Sequence, residues 1–126
     1  MSFNRVCDRL SPHLWALAVA NILANIGIIV TGAAVRLTGS GLGCPTWPKC
    51  TEESYVTHPS MGIHGAIEFG NRLLTYVLLI IAVLCWMAAV GRRDRVAVRL
   101  SLIVALGIPL QAVIGGVTVL TDLNPW

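Results

Sequence analysis

His64, Glu68, Asn71, Arg72 and Thr75 fall at i, i+4, i+7, i+8 and i+11, a spacing that puts them on one broad face of a helix. A carboxylate and a guanidinium four residues apart, in the order that favours pairing, can form an ion pair, move a proton or grip an anionic group. They stand at the edge of an apolar run, since residues 73–91 carry no charge. A helix beginning near Ile63 puts Glu68 roughly 7–8 Å inside it, with Arg72 a turn deeper. The bland account is a self-neutralising pair in the interior of a helix bundle. Removing two charges from water makes such a pair a poor source of stability, and ionisable groups within a membrane span are functional candidates by default. Glu68 is therefore the candidate for acid–base or electrostatic chemistry and Arg72 for holding an anion. His64, near the end of the span, is a ligand-binding candidate and a weak metal candidate; its alternative is contact with water and headgroups alone.

A second cluster occupies residues 31–50, TGAAVRLTGSGLGCPTWPKC. Asn21, Asn25, Gly32 and Arg36 share one helical face. For the asparagines and Gly32 the favoured use is helix packing, with amides bridging helices and glycine allowing close approach. Arg36 is either a snorkelling cation or a fixed positive charge for an anionic ligand. Beyond it, Cys44 and Cys50 bracket five residues that include Pro45 and Pro48. A short loop closed by a disulfide fits better than a metal site, because no second cysteine pair accompanies it.

These groups are positioned by an unusually apolar chain. Of 126 residues, 56% are hydrophobic and 12% charged, a balance that indicates a membrane protein. Residues 15–35, 73–91 and 100–121 lack charge, each about long enough to cross a ~30 Å hydrocarbon core as a helix. The expected fold is an all-α integral membrane protein with helices over about 14–37, 63–91 and 97–121. Arg5, Arg9 and the arginines of 92–99 assign the N-terminus and the loop 91–99 to the cytoplasm, and the loop 38–62 to the outside of the cell membrane. Cys44 and Cys50 then lie where disulfides persist, while Cys7 and Cys85 are expected to be reduced. The net charge of +3 is mostly this topological bias and calls for no nucleic-acid partner. Nucleotide and hydrolase motifs are absent from the sequence.

The third span carries Pro109, expected to bend it, and Gln111, Gly115 and Thr118 on one side, best read as packing. Residues 122–126, DLNPW, read as an outer turn followed by the start of another helix, so a longer or split protein is expected.

The segments 31–50, HGAIEFGNR at 64–72 and GGVTVLTDLNPW at 115–126 resemble the N-terminal half of the heme A synthase family, particularly its actinobacterial type. Members are usually built of eight helices in two similar four-helix halves, of which this chain covers about three helices. The resemblance implies oxidation of a methyl group of heme O to a formyl group, yielding heme A for terminal oxidases. It further implies a heme b cofactor, expected mainly in the other half, and the remaining helices of the same protein as partners. The family's glutamate, arginine and outer cysteine pair correspond to Glu68, Arg72 and Cys44 with Cys50. Arg36, Arg72, Asn71 and His64 are then expected to line the heme O site, the arginines pairing with propionates. Many members carry an axial histidine where this chain has Asn71, and an amide is a poor iron ligand. His64 is no direct replacement, being about 10 Å away along the helix. The cysteine loop would cover the pocket or pass electrons to an outside partner. The competing readings are a heme- or quinone-binding electron carrier and an oxidase assembly subunit.

Overall fold

The computed structural model describes residues 2–40, 46, 48–56 and 62–121, with residue 119 described by its backbone alone. The elements are α1 (Phe3–Leu10), a 3-10 turn (Ser11–His13), α2 (Leu14–Leu37), α3 (Gly62–Arg92) and α4 (Arg95–Leu120). No strand occurs among the described residues. Three helical stretches, Phe3–Leu37, Gly62–Arg92 and Arg95–Thr118, are long and apolar enough to cross a membrane. Large apolar side chains stand exposed along all of them, among them Ile29, Leu73, Ile80, Ile103 and Leu110. In lipid these side chains face a matching solvent, and helices satisfy their own backbone groups there. The expected all-α membrane fold is thus present. Residues 122–126, expected to begin a further helix, lie outside the described residues.

Two compact units divide the chain, one comprising 1–26 with 76–110 and the other 27–75 with 111–126. In the first, Leu78, Ala82, Cys85 and Ala89 form a buried stripe on α3, spaced i, i+4, i+7, i+11. Ala82, Ala88 and Ala89 are fully buried, as expected where small side chains let helix backbones approach. Asn21 is buried. The Asn25 Nδ2 amide donates to its carbonyl at 2.8 Å and to its Oδ1 at 3.0 Å. These amides therefore bond within α2 among the described residues, instead of bridging helices as the sequence leads one to expect.

Helix α1 is an element that the charge pattern alone does not announce. Its Cys7 is 1% exposed because the helix lies against α3 at Gly91, where a Cβ atom would overlap the Cys7 carbonyl. The Phe3 ring stands 6.2 Å from that of Trp86. The Trp86 indole N–H is buried with no partner among the described residues.

Between α3 and α4 the turn is only Arg93–Asp94, tighter than the charged run 91–99 leads one to expect. Arg93 closes α3 with a left-handed φ of 58° and donates its N–H to Val90 O at 3.0 Å. Asp94 caps α4, its Oδ1 accepting from the N–H groups of Val96 and Ala97 at 2.9 and 3.2 Å, an arrangement that satisfies otherwise orphaned donors. Helix α4 continues through Pro109.

Gly91→Ala should displace α1. The overlap costs about 1–3 kcal/mol, more than the ~1 kcal/mol gained in helix propensity. Maleimide labelling of Cys7 in the folded protein should accelerate on the order of tenfold or more. An unchanged rate would show that α1 is held elsewhere.

Candidate functional site

The second unit gathers the polar residues. Gly39, with φ 66°, closes α2 in the left-handed conformation that glycine adopts without strain, and the next residue, Ser40, is fully buried. Helix α3 opens at Gly62, also left-handed with φ 59°, so that its first turns carry His64, Glu68, Asn71 and Arg72.

Glu68 is 4% exposed and accepts from Arg72 Nη2 at 2.5 Å. The Arg72 Nη1 group donates to the carbonyl oxygens of Thr46 and Lys49, each at 2.9 Å. The same Lys49 carbonyl accepts from Thr46 Oγ1 at 3.0 Å, which closes the turn that Arg72 holds. Further along, the N–H groups of Cys50 and Thr51 donate to Ser54 O at 3.0 Å. Ser54 N–H donates in return to Thr51 Oγ1 at 3.0 Å. Lys49 Nζ lies 5.6 Å from the Tyr55 ring centroid, within cation–π range. A guanidinium sunk into a membrane helix needs acceptors. Here it finds them in a carboxylate on its own helix and in the backbone of a loop more than twenty residues away in sequence.

Asn71 is tied across to α2. Its Oδ1 is 2.7 Å from Thr31 Oγ1, whose hydroxyl also reaches the Gly27 carbonyl at 3.0 Å and that of Ile28 at 3.2 Å. A single hydroxyl proton serves one of these well. If it goes to the α2 backbone, the Asn71 amide turns to donate its N–H to Thr31 Oγ1. Either way, Asn71 acts as a hydrogen-bonding tie between α2 and α3.

His64 is exposed, and its tautomer follows from a chain of hydroxyls. Thr38 Oγ1 donates to Ala34 O at 2.7 Å. Its proton being committed, it accepts from Ser40 Oγ, also at 2.7 Å. Ser40 in turn accepts from His64 Nδ1 at 2.8 Å. Nδ1 is thus the ring nitrogen that carries a hydrogen toward Ser40, and in the neutral ring the lone pair falls on Nε2, since neutral imidazole has one donor and one acceptor.

Arg36 is exposed and forms no ion pair among the described residues. Cys44 lies outside the described residues, while Cys50 is 1% exposed. The free thiols among the described residues are Cys7 and Cys85. No group of three or more His, Cys, Asp or Glu able to hold a metal ion occurs among the described residues. Thr31, Ser40, Thr46 and Lys49 join the site through contacts that residue type and spacing do not announce. The only advance signal was their place in the 31–50 run, because two of them contribute carbonyl oxygens, which every residue has.

Arg72→Lys retains the charge but replaces a planar fork by a single nitrogen. Trypsin cleavage after Lys49 should accelerate about tenfold for every ~1.4 kcal/mol of charged hydrogen bonding lost. An unchanged cleavage rate would mean that other contacts hold the loop.

The cytochrome oxidase assembly protein family (COX15-CtaA) matches over residues 14–125. Among similar proteins, a "Heme A synthase" of Lysinibacillus sphaericus is 35% identical over 118 residues, covering 92% of this chain and 37% of that protein. One of Bacillus pumilus is 35% identical over 115 residues, covering 86% and 36%. A "Protoheme IX farnesyltransferase" of Halobacterium salinarum is 31% identical over 110 residues, covering 84% and 23%. No solved structure matches the chain. The chain thus spans little more than a third of the heme A synthases it matches. With the match running through all three membrane-crossing helices, the chain belongs to the COX15-CtaA cytochrome oxidase assembly protein family and is a multi-pass membrane protein.

Proposed function

We propose that this chain forms the heme O side of a heme A synthase, which oxidises a heme O methyl group to a formyl group for the assembly of terminal oxidases. The observation that carries the reading is the buried Glu68 paired with Arg72 beneath the loop turn 46–49. The names of the similar proteins support it, since those quoted above concern heme.

In this reading Glu68 is the catalytic residue. Methyl-to-formyl oxidation with water as the oxygen source releases protons and electrons, and a buried carboxylate beside the reacting carbon can accept a proton or offset developing positive charge. Arg72 holds Glu68 in place and anchors the loop above it. Its guanidinium already serves two carbonyls and a carboxylate, so Arg36, exposed and without an ion pair among the described residues, is the better anchor for a propionate. His64 offers its Nε2 lone pair to the substrate. Asn71 lines the site as the tie to Thr31, a use consistent with the poor ligation that an amide gives iron. We assign heme b, which supplies electron transfer when bound, to the other half of the family's fold and derive no step from it. A quinone or another membrane electron carrier would take the electrons.

The proposed topology is a cell-membrane protein with its N-terminus and the 93–94 turn in the cytoplasm and the loop 38–61 outside, following the arginine bias. In that compartment a Cys44–Cys50 disulfide would stiffen the loop; the burial of Cys50 and its absence from the free thiols support it. Thiol counting in denaturant should find the Cys7 and Cys85 thiols without reductant and all four cysteines with it. Four thiols without reductant would exclude the disulfide.

The decisive experiment uses the whole protein that contains this chain. Glu68→Gln should abolish conversion of heme O to heme A, read by pigment extraction, while heme O remains bound. Arg36→Gln in the same assay should weaken heme O retention about tenfold, the scale of one lost charged contact. Full conversion by Glu68→Gln removes the catalytic role. Reversible heme spectra without heme A from the unaltered protein would move the assignment to an electron carrier.

A further inference from the structure

A second charged site lies in the first unit, at the turn joining α3 to α4. Val90, Arg93, Arg95, Val98 and Arg99 line an open cavity of about 440 Å³. Three arginines line it, and none of them forms an ion pair among the described residues. The one acid within residues 90–99 is Asp94. Its carboxylate is committed to the N–H groups of Val96 and Ala97, so those donors are occupied and the arginine side chains are the anion-binding groups. Arg93 is also held at φ 58°, where a residue other than glycine costs roughly 1–2 kcal/mol.

The cavity is amphipathic. Val90 and Val98 supply an apolar wall. The cavity also sits at the ends of two membrane-crossing helices, the level at which headgroups lie. A small inorganic anion would use the guanidiniums and leave the apolar wall uncovered. Basic pockets at this level bind anionic lipid headgroups, and the guanidinium fork matches a phosphodiester. The positive-inside bias accounts for the sign of these charges. It treats arginine and lysine alike, however, and does not ask them to line one cavity.

We propose that Arg93, Arg95 and Arg99 bind the phosphodiester headgroup of an anionic phospholipid, with an acyl chain laid against Val90 and Val98.

The test uses the full chain extracted from membranes in detergent, with phosphatidylglycerol, phosphatidylcholine and inorganic phosphate as separate probes. Native mass spectrometry should show retained phosphatidylglycerol, and added phosphatidylglycerol should raise the melting temperature where the other two probes do not. The triple variant Arg93→Gln, Arg95→Gln, Arg99→Gln should bind it at least tenfold more weakly. Arg92→Gln, which removes one charge from the same turn outside the cavity lining, should bind normally. Arg93→Gly guards against misfolding, because it relieves the left-handed strain. Its lipid-free melting temperature should rise while lipid retention falls. Equal retention by the triple variant, an equal loss in Arg92→Gln, equal binding of phosphatidylcholine, or the same stabilisation by inorganic phosphate would each overturn the proposal.

Discussion

The second unit is organised by the need to satisfy one guanidinium at membrane depth. An unpaired guanidinium charge in hydrocarbon is far more expensive than an ordinary surface contact is worth. Glu68 neutralises it but leaves donors over. The Thr46 and Lys49 carbonyls take them, and those oxygens, beside an apolar helix, need donors themselves. Loop and helix thus stand in for water toward one another. The position of the loop, the orientation of the Glu68 carboxylate and the burial of Cys50 are parts of one solution. Removing any of these contacts leaves its partner charged or polar and dry.

The remaining polar groups follow the same logic on a smaller scale. Thr31, Thr75, Ser101 and Thr121 turn their hydroxyls onto carbonyls of their own helices, the usual resort of a hydroxyl among apolar neighbours. Asn25 does so with its amide. What these residues do not spend on their own backbones is left for cross-links between helices. The Thr31–Asn71 contact is one such link, and the Ser40–His64 contact joins the end of α2 to the start of α3.

Legibility in the sequence tracks how local each cause is. The three long helices are readable because apolarity over some twenty residues is a property of the chain itself. The Glu68–Arg72 pair is readable because four residues on a helix bring side chains together whatever surrounds them. Helix α1 is not, since its docking depends on Gly91, more than eighty positions away, and an isolated glycine in an apolar run has many meanings. The Arg93–Asp94 turn hides behind its own charge: a run of arginines reads as a solvated loop, and the capping role of Asp94 is visible only once the helix start is known. The partners of Arg72 leave no trace in residue type at all. Residue type and spacing suggest a ligand for Arg72, and say nothing of the two carbonyl oxygens it meets within the chain.

That Arg72 grips main-chain oxygens has a consequence for how this region can diverge. A clamp that reads side chains would hold positions 46 and 49 to particular residue types. One that reads carbonyls leaves them nearly unconstrained, provided the backbone follows the same path. The loop can therefore exchange its surface chemistry, and with it whatever it meets beyond the membrane, while the buried carboxylate beneath keeps its place.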